Sequence, residues 1–174
     1  MFTKDNRIRL LKIFFDSPNK EFYIRELARL TNLSPAGILR IASKLEKEKI
    51  ILKKKNKATT DIKLDLNENT LKLKRIYNLY FLYGSGLVDF LVDSYNHPSC
   101  IILFGSYSLG EDIEKGDIDI AIITNKHKIL DLSKFEKDLN KRIHLLEVDL
   151  KKVSKEFISS LINGVVVYGY LSIK

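Results

Sequence analysis

The chain has 174 residues, and its 30 Lys and Arg against 22 Asp and Glu give a formal net charge of +8. Its single cysteine excludes an internal disulfide, and its His and Cys residues do not have the spacing of a zinc site. No stretch approaches the roughly 18 consecutive apolar residues that predict a membrane helix. We therefore expect a soluble, cytoplasmic protein with no membrane partner.

The positive charge is concentrated in one part of the chain. Residues 1–75 contain 19 Lys and Arg against 9 Asp and Glu, whereas residues 76–174 contain 11 against 13. Because domains can be as short as about 50 residues, we predict two of them, at 1–67 and 87–174, joined by a connecting helix at 68–86. A basic first domain indicates a polyanionic partner, and nucleic acid rather than a membrane.

The first domain is predicted to contain three helices followed by a hairpin. Residues 6–16 and 24–31 have apolar side chains at helical spacing. Ser34 is a predicted N-cap with Pro35 at the first helical position, so a third helix is expected over 35–48. Two short strands around a lysine-rich turn follow this helix.

This order resembles the winged helix-turn-helix family over residues 5–66, chiefly in the segment RELARLTNLSPAGILRIASKLEKEKII. The resemblance implies that the third helix lies in the major groove of double-stranded DNA and that the hairpin contacts the DNA backbone. The predicted DNA-binding side chains are the basic residues of that helix and hairpin: Arg40, Lys44, Lys47, Lys53, Lys54, Lys55 and Lys57. A lysine-rich turn that is merely solvated is the alternative interpretation.

The connecting segment is apolar on more than one side. Its sequence LKLKRIYNLYFLY predicts a helix that packs between the two domains or against a second chain in a homodimer. The tripeptide Gly84-Ser85-Gly86 follows this helical pattern rather than a strand, and a glycine-rich phosphate loop needs a strand before it. We interpret it as a break before another helix.

The second domain alternates strand and helix patterns. Its strands are predicted around CIILF, DIDIAIIT and HLLEVDL, with helices between and after them. This alternation predicts an α/β (α+β) fold in which a small mixed sheet is flanked by helices.

Two aspartates stand one residue apart in the apolar run DIDIAIIT. Residues i and i+2 of a strand share a face, so Asp117 and Asp119 are expected to point together. Two close carboxylates repel each other unless a cation lies between them, and Mg²⁺ prefers carboxylate oxygens. Solvent exposure of both side chains at the start of the strand is the structural alternative.

Two further features favour a phosphoryl-transfer site. Gly105 and Ser106 end the preceding strand in a turn that can bind an anion. Asp149 follows Asp119 by thirty residues, which leaves room for one helix and a return strand, and Glu147 is the alternative third carboxylate. Three carboxylates beside a phosphate turn are the parts of a two-metal site.

The stretch LFGSYSLGEDIEKGDIDIAI, followed by EVDL and NGVVVYG, resembles the nucleotidyltransferase domains of the DNA polymerase β superfamily over residues 87–170. Their signature is Gly-Ser, a gap of about ten residues, and Asp-hydrophobic-Asp. The resemblance implies that Gly105 and Ser106 bind the triphosphate, and that Asp117, Asp119 and Asp149 are catalytic and bind two Mg²⁺ ions. Many members have Arg where Tyr107 stands here.

The leading hypothesis is an enzyme that transfers a nucleoside monophosphate from an NTP, ATP first, to an acceptor hydroxyl. One alternative is a DNA-binding transcriptional regulator whose second domain binds nucleotide or a partner without catalysis. Another, implied by the resemblance alone, is an antitoxin that transfers AMP to a HEPN-domain protein.

Overall fold

A computed structural model describes residues 5–55 and 59–172. The chain divides into two units, Met1–Leu71 and Lys72–Lys174. Within the described ranges, no helix combines the length and the apolar character needed to cross a membrane.

Over its described residues, 5–55 and 59–71, the first unit consists of three helices and a three-stranded sheet. In chain order its elements are α1 (Asn6–Asp16), β1 (Phe22–Tyr23), α2 (Ile24–Thr31), α3 (Pro35–Lys47), β2 (Ile51–Lys55) and β3 (Thr60–Leu64). The strand order is β1-β3-β2, and both pairings are antiparallel. Ser34 caps α3 by accepting a hydrogen bond from the Gly37 N–H, as the sequence predicts.

The core of this unit is formed by the inward sides of its helices and of the hairpin. Leu10 and Phe14 of α1, Leu27 of α2 and Ile38 of α3 are completely buried, as is Ile62 of β3. The two-residue strand β1 was not predicted, because its Phe22 and Tyr23 are too few to display an alternating pattern.

The second unit contains a four-stranded sheet. Helix α4 (Glu68–Gly84) crosses the division between the units, and the elements after it are α5 (Leu87–Ser94), β4 (Cys100–Phe104), α6 (Gly105–Leu109), β5 (Ile118–Ile123), α7 (Ser133–Leu139), β6 (Ile143–Val148), α8 (Lys155–Ile162) and β7 (Val165–Gly169). The strand order is β6-β5-β4-β7. Strands β5 and β6 are parallel, whereas β4 is antiparallel to both of its neighbours.

The sheet carries helices on both faces. One hydrophobic cluster includes Leu91 of α5, Phe135 of α7 and the β5 residues Ile118, Ile120 and Ile122. A second cluster, on the opposite face, includes Ala121 of β5 and Leu161 of α8. The prediction of a mixed sheet flanked by helices is confirmed, and the edge strand β7 is an addition to it.

Candidate active site

The two aspartates lie at the beginning of β5. Asp119 is the second residue of the strand, and Asp117 comes directly before the strand. Residues alternate between the two faces of a strand, so both aspartates belong to the face that carries Ala121 and α8. Asp117 is exposed and Asp119 is partly exposed. Because the neighbouring isoleucines fill the opposite face, an apolar strand accommodates both carboxylates without burying them.

The Gly-Ser turn meets Asp119 at the end of β4. Phe104, the last residue of β4, pairs with Asp119, and Gly105 begins the short helix α6. Gly105 has φ +70°, and a Cβ atom at this position would overlap the Asp119 carboxylate. Glycine is therefore required here both by its backbone conformation and by the close approach of Asp119. Ser106 is exposed beside it.

The residue that lies beside Asp119 on the other neighbouring strand is a histidine. His144 of β6 is the register partner of Asp119, and its Nδ1 lies 3.2 Å from Asp119 Oδ1. The His144 side chain is 60% exposed and that of Asp119 27% exposed. Asp119 thus lies between Gly105 on β4 and His144 on β6.

Neither predicted third carboxylate reaches the aspartate pair. Because β5 and β6 are parallel, their first residues lie at the same end, and Asp149 comes after the last residue of β6. Asp149 is five residues beyond His144, or about 16 Å along an extended strand. It lines a cleft of about 480 Å³ at the far end of the sheet with Thr124 and Ser99. The expected trio of Asp117, Asp119 and Asp149 is therefore not brought together.

Glu147 is directed away from the site. It is paired with Ile122, whose side chain belongs to the face opposite Asp119. Its carboxylate accepts hydrogen bonds from the Tyr95 hydroxyl and the Lys128 N–H, and it contacts the His127 ring. Burial opposes ionisation of Glu147, but these hydrogen bonds outweigh it and lower the pKa of the carboxyl. Glu147 thus connects the loop after β5, through Lys128, to Tyr95 at the end of α5.

A polar cleft opens beside Asp117. Its volume is about 440 Å³, and it is lined by two short segments, residues 114–117 and 140–142. Arg142 precedes β6, and its carbonyl accepts a hydrogen bond from the Ile118 N–H at 2.8 Å. Continuing the strand register by one residue places Arg142 opposite Asp117, just as His144 is opposite Asp119. Arg142 and Asp117 thus line the same cleft, and His144 contacts Asp119.

A buried ion-pair cluster fixes the loop that leads to Asp117. The carboxylate of Asp112 contacts Lys74 Nζ at 2.5 Å and Lys141 Nζ at 3.1 Å. Asn78 donates hydrogen bonds to Asp112 Oδ1 and to the carbonyl of Tyr107. Tyr107, which stands where many members of the resembling family have arginine, is itself buried and does not present a side chain on the surface of the site.

Asp117 and Asp119 are the carboxylates that this site offers to a divalent cation among the residues that the structure describes. Asp117 and Asp119 supply carboxylate oxygens on one face, as a hard cation requires. Within residues 5–55 and 59–172, no group of three or more His, Cys, Asp and Glu side chains is arranged to hold a metal ion. His144 directs its nitrogen at Asp119 rather than completing a set of three oxygen donors.

The predicted DNA-binding residues of the first unit have different environments. Arg40, Lys44 and Lys47 are exposed on α3, and Lys54 and Lys55 are exposed on β2. Lys53 is not free, because its Nζ contacts Glu46 Oε2 at 2.7 Å and Ser43 Oγ at 3.1 Å. Lys57 lies outside the described residues.

Sequence reasoning missed His144 and Arg142. Both stand at the beginning of the segment RIHLLEVDL, whereas the predicted third carboxylates stand at its end. A signal was available, because a predicted helix separates the two strands, and a helix is the usual crossover between parallel strands. Residues at the start of β5 therefore lie beside residues at the start of β6.

Among the comparisons with known proteins, a family model matches the chain within its second unit. No curated protein matched the sequence. The model of the family described as "Polymerase beta, Nucleotidyltransferase" matches residues 88–170, which contain the Gly-Ser turn, the aspartate pair and all four strands of the sheet. This match supports a nucleotidyltransferase domain in the second unit and, with it, a nucleotidyltransferase-type activity in general.

Proposed function

We propose that the second unit binds an NTP with a divalent cation and transfers its nucleoside monophosphate to an acceptor hydroxyl. The observation that carries the proposal is the meeting of the Gly105-Ser106 turn with Asp119, which lies two residues after Asp117 at one end of the sheet. An anion-binding turn next to two carboxylates suits a triphosphate that carries a metal ion.

In this proposal each residue has a distinct task. The backbone at Gly105 and the hydroxyl of Ser106 bind the phosphates, and Asp117 and Asp119 hold the cation against them. The cation, Mg²⁺ by its preference for oxygen ligands, would neutralise charge on the phosphates and on the pyrophosphate leaving group. The Lys74–Asp112–Lys141 cluster keeps the loop before Asp117 in place.

The second candidate function is a DNA-binding regulator that binds nucleotide without transferring it. His144 favours this candidate, because an imidazole lies beside Asp119 where β6 offers no carboxylate. The first unit supports DNA binding, since its order of helices and its hairpin resemble a winged helix and α3 exposes Arg40, Lys44 and Lys47. Under either candidate, we propose that these basic residues contact duplex DNA.

The decisive experiment is a transfer assay with α-labelled ATP and Mg²⁺. The acceptors are the chain itself, duplex DNA and a HEPN-domain protein, and nucleotide binding is measured in parallel by calorimetry. Transfer that disappears in Asp117→Asn supports the enzyme. Asp93→Asn is the matched control, because Asp93 is an exposed carboxylate on α5. Binding without transfer to any acceptor supports the regulator, and absence of both would contradict the proposed site.

A further inference from the structure

The number of metal ions that this site can hold depends on the residues of β6 that lie beside β5. Parallel pairing sets Asp119 beside His144, and the strand spacing of about 4.8 Å brings their side chains into contact. The imidazole Nδ1 lies 3.2 Å from Asp119 Oδ1, on the side of the carboxylate that faces away from Gly105. One side of Asp119 is therefore occupied by a nitrogen donor.

The carboxylates of β6 cannot replace this histidine as ligands. Asp149 lies past the far end of the strand, and Glu147 is on the opposite face with hydrogen bonds from Tyr95 and Lys128. The nearby Asp112 is committed to two lysines. Asp117 and Asp119 are the two carboxylates that remain for cations, and His144 contacts Asp119.

We infer that this site holds one divalent cation, which binds with the nucleotide between Asp117 and Asp119, and that His144 is the reason a second cation is not held. The inference rests on the proposed nucleotide site and goes beyond it by fixing the number of ions. A magnesium ion that lacks substrate phosphates depends on protein oxygens and gains little from an imidazole. Two negative charges also attract a second dication less than three would.

The inference predicts a gain of function in metal binding. Replacing His144 with Asp puts a third carboxylate beside Asp119, on an exposed side chain whose exchange leaves the core intact. His144→Glu is a second variant with a longer reach. His144→Asn is the size-matched control without charge. Asn19→Asp adds the same carboxylate at an exposed position in the first unit.

The test counts Mn²⁺ ions per full-length chain by equilibrium dialysis against Mn²⁺ and α,β-methylene ATP, with the dialysate as reference. The expected result is one ion for the natural chain, His144→Asn and Asn19→Asp, and two for His144→Asp or His144→Glu. Circular dichroism confirms that each variant is folded. Two ions in the natural chain, or one ion in both folded acidic variants, would overturn the inference while leaving the proposed function intact. No ion in the natural chain would overturn the nucleotide site itself, and the inference with it.

Discussion

Lys74 and Asp112 form an ion pair that is almost completely removed from water, with Nζ 2.5 Å from Oδ1 and each side chain 1% exposed. Lys141 adds a second ammonium to the same carboxylate, and its side chain is 8% exposed. Asp112 lies in the loop between α6 and β5, five residues before Asp117. The cluster therefore connects the stability of the second unit to the position of its first site carboxylate.

Replacement of Asp112 by Asn should destabilise the protein strongly. The amide keeps the shape of the side chain but leaves two buried ammonium groups without a counter-charge, which costs about 3–5 kcal/mol. Urea unfolding, followed by circular dichroism, measures the change in free energy. Glu111→Gln is the control, because Glu111 is the exposed neighbouring residue and should change stability by less than about 0.5 kcal/mol. Equal stabilities of the two variants would contradict this account.

Gly105→Ala should reduce transfer far more than it reduces stability. The left-handed backbone disfavours alanine by about 1 kcal/mol, and the added methyl group displaces the Asp119 carboxylate. A misplacement of about 1 Å at a reacting centre costs on the order of 100-fold in rate. The other Gly-Ser pair in the chain offers the control, since a Cβ atom at Gly84 would meet open space. A Gly105→Ala variant with unchanged kcat and KM would argue against phosphate binding at this turn.

The hydrogen bonds of Glu147 should make stability depend on acid pH. Burial raises the pKa of Glu147, but hydrogen bonds from Tyr95, Lys128 and His127 together outweigh it and hold the pKa below its ordinary value of 4.5 in the folded state. Its stabilising contribution is therefore complete above about pH 4.5 and is lost as the pH falls through the folded-state pKa.

Glu147→Gln tests this dependence. We expect a loss of about 1.5–3 kcal/mol at pH 7, as for other hydrogen bonds to charged groups. The difference between the variant and the natural chain should shrink as the pH falls below 4.5. Thermal or urea unfolding at several pH values measures both, and a difference that is constant from pH 7 to pH 3 would rule out the ionised carboxylate as its source.

Binding of duplex DNA should weaken steeply with salt. If the five exposed basic residues of α3 and β2 each contact a phosphate, the logarithm of the affinity should fall with the logarithm of salt concentration at a slope of about −4.5. Lys44→Ala should make this slope shallower by about 0.9. Arg9→Ala removes an exposed cation from α1, outside the predicted surface, and should leave the slope unchanged. Fluorescence anisotropy with a labelled duplex checks both, and affinity that does not respond to salt would refute the proposed surface.

The parts of the site that depend on local pattern could be predicted from the sequence. The i and i+2 spacing of Asp117 and Asp119 fixes their common face, and the glycine before Ser106 marks the turn. The third position could not be predicted in this way. Alternation along a strand assigns faces, but only the direction of pairing decides whether the start or the end of RIHLLEVDL lies beside Asp119.

Tertiary partners account for the other differences between prediction and structure. Lys53 stands in one run of lysines with Lys54 and Lys55. Its ammonium is nevertheless bound by Glu46 and Ser43 of the preceding helix. Strand β1 forms because Phe22 and Tyr23 pair with Ile62 and Asp61, nearly forty residues away in sequence. Neither relationship leaves a periodic signal in the chain.

The parallel pairing of β5 and β6 gives the second unit two polar ends that are thermodynamically separate. One end holds Asp117, Asp119 and His144, and the other holds Thr124 and Asp149, about 16 Å further along the strands. Groups so far apart, with no shared partner, contribute additively to binding and stability. A cycle that combines Asp117→Asn with Asp149→Asn should therefore yield a coupling free energy close to zero, whereas carboxylates sharing one ion would be strongly coupled.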